Sequence, residues 1–128
     1  MNPPGPDAEG TTIRILLLED NRLDADLTRL RLESLRVPVS LQTVETEADF
    51  CKVLDAGDID IVLADFMLPA FSGAEALAIV RERSPDLPFV VVSGVLGEEH
   101  AVEILKKGAT DYVVKQRLQR LPMVVERA

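Results

Sequence analysis

Four apolar runs of strand length in this 128-residue chain each stop at a polar residue. Ile13–Leu18 stops at Glu19 and Asp20, Ile59–Ala64 at Asp65, Phe89–Val92 at Ser93, and Tyr112–Val114, the end of a fifth strand over Thr110–Val114, at Lys115. Runs this apolar fit strands covered on both faces, as in a parallel sheet. In an open parallel sheet, functional groups gather beyond the carboxyl ends of the strands, near the point where strand order reverses. Glu19, Asp20, Asp65, Ser93 and Lys115 therefore describe one site.

Between the runs the spacing turns helical. Leu23, Leu27, Leu30 and Leu35 predict a helix over roughly Arg22–Arg36, with Asn21 as its cap. Val39–Val44 alternates polar and apolar residues and reads as a less buried strand near an edge. Thr46 and Asp49 resemble a capping box with Asp in place of Glu, opening a helix that ends near Gly57. Ser72 and Glu75 form a regular box for a helix through Leu77 and Val80, and Pro85 and Pro88 close that region before Phe89. Gly97–Lys107 predicts a fourth helix ended by Gly108. Five strands alternating with helices predict a doubly wound α/β fold, a parallel sheet with helices on both faces. Asn2–Gly10, with its prolines and glycines, reads as disordered. The expected organisation is a tail over 1–12 and one folded domain over 13–128.

Apolar residues make up 47% of the chain and aromatics 4%, so the core must be aliphatic. A net charge of −8 argues against this domain gripping nucleic acid or an anionic membrane surface. Met1–Gly10 has neither a basic start nor an apolar stretch, and no run is long enough to span a bilayer. Cys51 stands alone, which excludes an internal disulfide and fits a reducing, cytoplasmic setting. It reads as a small apolar group on a helix.

The chemistry of the strand-end residues is specific. Three crowded carboxylates repel one another unless a cation sits among them, and a hard divalent ion with oxygen ligands, such as Mg²⁺, is the expected occupant. Asp65 is ionised near neutral pH and needs no general base to attack phosphorus. Phosphoryl transfer requires positioning and cancellation of charge on the equatorial oxygens, which a metal, Lys115 and the Ser93 hydroxyl can supply.

Leu16–Asn21 (LLLEDN), Ala64–Gly73 (ADFMLPAFSG), Val91–Gly94 (VVSG) and Asp111–Lys115 (DYVVK) resemble, in order and separation, the receiver domain of two-component response regulators and hybrid sensor kinases. The resemblance implies a flavodoxin-like receiver fold with strand order 2-1-3-4-5 and phosphorylation of Asp65. It implies Mg²⁺, with Mn²⁺ as a substitute, bound directly by Asp20 and Asp65, by Glu19 directly or through water, and by the main-chain carbonyl of Met67. The family commonly has Asp where Glu19 stands, although Glu also occurs there. Ser93 and Tyr112 would form the switch pair, and Met67 and Val95 would flank the water that hydrolyses the aspartyl phosphate. The implied donor is a histidine kinase or histidine phosphotransfer domain in a phosphorelay. The implied output is a changed face of the fourth helix, fifth strand and fifth helix, read by a downstream domain or a homodimer partner. Such a domain is not a conventional enzyme: it catalyses its own phosphorylation and slow dephosphorylation.

Plainer roles exist for each residue. Glu19 or Asp20 could simply cap a helix, Lys115 could be a solvated charge, Ser93 a turn residue and Tyr112 a half-buried strand residue. His100 reads as an exposed, inert side chain on a polar helix face. The main alternative function is an interaction or dimerisation module of receiver type with vestigial phosphorylation. A Toprim-like metal site would need Asp58 and Asp60, but these precede their strand and so belong to the opposite end of the sheet. A haloacid dehalogenase-like phosphatase would need an acid two residues after Asp65, where Met67 stands.

The chain departs from the family after Lys115. Receivers usually place a cis proline there, whereas this chain has Gln116, for which a cis bond costs about 2.5–4 kcal/mol. The expectation is a trans bond, with the long lysine stem still reaching the site. Pro122 fits the first turn of a helix, leaving a short fifth helix over Pro122–Ala128 that either relies on packing or continues into a longer chain. The second is the expectation, which makes the fifth helix a truncated one.

Overall fold

The computed structural model describes residues 12–35, 37–65, 71–93 and 98–127, without the side chains at 98–101 and 116. Five parallel strands form one sheet in the order β2-β1-β3-β4-β5: β1 (Ile13–Leu18), β2 (Val39–Val44), β3 (Ile61–Asp65), β4 (Phe89–Ser93) and β5 (Asp111–Val114). Helices α1 (Arg22–Leu32), α2 (Glu47–Ala56), α3 (Gly73–Arg83), α4 (Glu98–Lys106) and α5 (Leu121–Arg127) alternate with them, and a 3-10 stretch over Lys115–Arg120 leads into α5. The doubly wound, flavodoxin-like arrangement and the strand order are those expected. Strand order reverses between β1 and β3, so the ends of these two strands flank the crevice.

Alternate residues of each strand enter opposite half-cores. Leu16, Leu18, Val62, Ala64 and Val91 pack with Phe50 of α2, Leu77 of α3 and Ile104 of α4. Ile15, Leu17, Leu63, Val90 and Val113 pack with Leu32 of α1 and with Leu121 and Val124 of α5. Coverage on both faces is why β1, β3 and β4 are almost wholly apolar. β2, at the edge, is only part buried, as its alternation predicts.

Local signals set the helix ends. Asn21 Oδ1 accepts from the Asp24 amide at 2.9 Å and Thr46 Oγ1 from the Asp49 amide at 3.2 Å. The Ser72–Glu75 box closes in both directions, at 3.2 and 3.1 Å. Gly57 ends α2 in the left-handed region at φ 86°. Past α4, Gly108 has φ 114°, and its carbonyl accepts from Arg81 Nε at 2.9 Å. The same guanidinium donates to the carbonyls of Pro85 (3.1 Å) and Leu87 (2.8 Å), tying the end of α3 to two connections.

The structure corrects several sequence expectations. α1 stops at Leu32, and Leu23, Leu27 and Leu30 are exposed, at 66%, 42% and 59%. Helical spacing shows that residues share a stripe but not which stripe meets the sheet. Here the smaller Ala25 and Thr28, with Leu32, lie inward, and Leu35 is buried after the helix has ended. β3 begins at Ile61 rather than Ile59, because Asp60 is held by Arg14, whose amide donates to Asp60 Oδ2 at 2.8 Å. Asp58 also faces Arg14, at 3.6 Å, at the opposite end of the sheet from Glu19. Asp65 and Ser93 are the last residues of their strands rather than the first beyond them.

Cys51 is half-buried on α2. Seven-residue α5 is anchored by Leu121, Val124 and Val125, all buried, so packing holds a helix too short to stand alone. No cis peptide bond occurs among the described residues, and the Lys115–Gln116 bond is trans as expected. Apart from Thr12, the expected tail lies outside the described residues, as do Met67 and Val95 and the side chain of His100. No helix among the described residues is long and apolar enough to cross a membrane.

Candidate phosphoryl-acceptor site

Strand alternation sorts the site residues before any contact is measured. Asp65 follows Ile61 and Leu63 onto the α1/α5 face of the sheet, and Glu19 continues the Ile15, Leu17 series toward the same side. Lys115 continues from Val113 likewise. The result is a nest of charge: Lys115 Nζ lies 2.9 Å from Glu19 Oε1, 3.0 Å from Asp65 Oδ2 and 2.6 Å from Asp24 Oδ2. Asp24 is the group that sequence reasoning missed. It sits in the first turn of α1, where an acid is ordinarily credited to the helix dipole. The available signal was its place one helical turn beyond the strand-end pair Glu19 and Asp20.

Burial raises the pKa of Glu19; the Lys115 hydrogen bond pulls it back down and the neighbouring Asp65 charge adds to the rise. For Lys115 burial acts downward, but hydrogen bonds to Asp24, Glu19 and Asp65 outweigh it and the net shift is upward. The lysine is therefore a fixed positive charge at physiological pH. The Asn21 amide donates to Glu19 Oε2 at 3.3 Å, fixing that carboxylate from the other side.

Ser93 and Tyr112 alternate the other way, onto the α2–α4 face with Phe89 and Val91. Ser93 is adjacent in register to Asp65, which pairs with Val92. Its hydroxyl is buried and has no hydrogen-bond partner among the described residues. An unspent buried hydroxyl is costly, and a ligand oxygen is one way to satisfy it. Tyr112 is partly buried against the same half-core. Asp20 is exposed and shares a groove with Glu19, Arg22, Asp26 and Glu45.

The sequence brings together four of its five strand-end residues by contact or register: Glu19, Asp65, Lys115 and Ser93. Asp20 joins them only through its groove with Glu19. Among the described residues no three acidic, histidine or cysteine side chains converge as metal ligands do; Lys115 holds the centre instead. The donor chemistry nevertheless fits a hard divalent ion. Glu19, Asp24 and Asp65 share a single ammonium, which leaves a negative excess when all are ionised, and every donor is oxygen.

Known proteins share this sequence pattern and this fold. Residues 15–126 match the model of the response regulator receiver domain. The regulatory protein LuxO of Vibrio cholerae is 31% identical over 113 residues, covering 88% of this chain and 24% of that protein. The cell cycle response regulator CtrA of Brucella ovis is 32% identical over 124 residues, covering 91% of this chain and 51% of that one. The chain thus spans from about a quarter to about half the length of these relatives. The Mn²⁺-bound form of response regulator Rcp1 has the same fold, with a TM-score of 0.74 at 19% identity over 85% of this chain and 91% of that one.

Proposed function

This chain belongs to the response regulator receiver domain family of two-component signalling, and from that premise we propose that Asp65 accepts a phosphoryl group. The donor is a phosphohistidine on a histidine kinase or histidine phosphotransfer domain. A carboxylate oxygen of Asp65 attacks phosphorus, the phosphorus–nitrogen bond breaks, and the imidazole leaves with the bonding pair. The product is an aspartyl phosphate. The observation that carries this reading is the 3.0 Å contact of Asp65 with Lys115, next in register to a buried Ser93 hydroxyl that has no hydrogen-bond partner among the described residues.

Each group has a separate task. Lys115 donates to one phosphoryl oxygen and Ser93 to another. Glu19, Asp20, Asp65 and the Met67 carbonyl would hold Mg²⁺ or Mn²⁺, which supplies positive charge to the phosphoryl oxygens when bound. The Mn²⁺-bound state of Rcp1, a protein of the same fold, supports a divalent ion in this role. Drawing Ser93 toward the phosphoryl group frees space for Tyr112 to turn inward, which biases a two-state equilibrium and alters the face of α4, β5 and α5. A downstream domain of a longer chain, or a second copy, reads that face in the cytoplasm. Hydrolysis by an aligned water resets the domain, at a rate that Met67 and Val95 would tune.

The test is intact-mass spectrometry after incubation with acetyl phosphate. Wild type should gain one phosphoryl group only with Mg²⁺ or Mn²⁺ present, and Asp65→Asn should gain none. Uptake by Asp65→Asn at the wild-type rate would overturn the assignment.

A further inference from the structure

We propose that Asp24 is a positioning residue for Lys115, holding its ammonium at the mouth of the site where a phosphoryl group arrives. The proposal deepens, and rests on, the reading of Asp65 as the acceptor. An ammonium has three N–H donors, and three carboxylates lie within hydrogen-bond reach of this one. The contacts are unequal: Asp24 is closest, at 2.6 Å. The three also sit at different depths. The Glu19 side chain is 2% exposed, that of Asp65 11% and that of Asp24 31%, so Asp24 is the outermost anchor.

Asp24 is itself fixed at three points. Its amide donates to Asn21 Oδ1 at 2.9 Å, its carbonyl accepts from Thr28 Oγ1 at 2.9 Å, and its carboxylate meets Lys115. A rigid outer anchor makes the ammonium divide its three N–H donors among three carboxylates; with Asp24 gone, Glu19 and Asp65 alone would hold it, more deeply, and the attacking carboxylate would be masked. Without Asp24 the lysine should drop inward, and phosphoryl acceptance should slow.

The experiment compares wild type with Asp24→Asn, Asp24→Glu and the control Glu33→Gln, an exposed acid at the far end of the same helix. Two readouts are taken on each protein. The first is the rate of aspartyl phosphate formation from acetyl phosphate with Mg²⁺. The second is the side-chain ammonium resonance of Lys115 in ¹⁵N-lysine protein without a phosphodonor. Lys52, Lys106 and Lys107 are exposed, so their ammonium signals exchange away and the protected one stands out.

Asp24→Asn should lower the rate about tenfold and shift or broaden the Lys115 signal. Asp24→Glu should restore most of both, and Glu33→Gln should change neither. A helix-dipole role would leave the Lys115 ammonium signal of Asp24→Asn in place, and that outcome overturns the proposal. So does a wild-type rate in Asp24→Asn. If wild type accepts no phosphoryl group, the acceptor reading fails, and the Lys115 resonance alone still decides whether Asp24 anchors the ammonium.

Discussion

Lys115 and Asp65 are 50 residues apart in the chain, yet Nζ and Oδ2 lie 3.0 Å apart. β4 separates their strands, leaving a gap of roughly 9.5 Å between β3 and β5, which only a long side chain crosses. Lys115→Met should therefore fold but leave three carboxylates facing one another. It should bind Mg²⁺ up to about tenfold more tightly than wild type, as calorimetry would measure. It should also fail to signal after phosphorylation. Weaker metal binding in the variant would contradict the charge excess assigned to the nest.

Metal should stabilise the wild-type fold by mass action. At about 100 times its dissociation constant, Mg²⁺ adds about 2.7 kcal/mol, a clear rise in melting temperature over the chelated protein. Asp20→Ala should lose most of that rise while melting normally in chelator, because Asp20 is exposed. An identical rise in wild type and variant would remove Asp20 from the ligand set.

Ser93 and Tyr112 share one face of the sheet, and Tyr112 is the sole tyrosine. Beryllofluoride should change Tyr112 fluorescence in wild type, and Ser93→Ala should bind the anion without that change. A silent tyrosine in saturated wild type would separate the two residues.

The orientation of α1 is testable by stability alone. Leu23→Ser and Leu30→Ser should shift urea unfolding by no more than about 0.5 kcal/mol. Leu32→Ala, on the buried side, should cost about 2–5 kcal/mol. Comparable losses at all three positions would mean that the helix faces the other way.

Arg81→Met removes three hydrogen bonds to carbonyls of two separate connections. The expected loss is about 1–3 kcal/mol, read by urea denaturation. Phosphorylation of Asp65 should continue at its usual rate, since Arg81 lies outside the site.

Much of this was legible in the sequence because the signals were local. Three strands covered on both faces announce themselves as apolar runs, the caps at Asn21, Thr46 and Ser72 are short-range, and strand ends mark the site. What escaped depended on tertiary geometry. The stripe of Leu23, Leu27 and Leu30 has the same period whether it faces sheet or water. Asp24 meets Lys115 91 residues away, and its neighbours in the chain hold no trace of that partner. β3 starts late because Arg14, on another strand, claims Asp60.

Residues 15, 17 and 19 belong to one side of the sheet and 16 and 18 to the other. Removing a single residue from β1 would send Glu19 to the wrong side of the molecule and exchange the two half-cores along that strand at once. Strand length is thus as tightly constrained as the identity of any charged group. Divergence among such domains should concentrate insertions and deletions in the turns, and an engineer adding a peptide or a label should spend the freedom there.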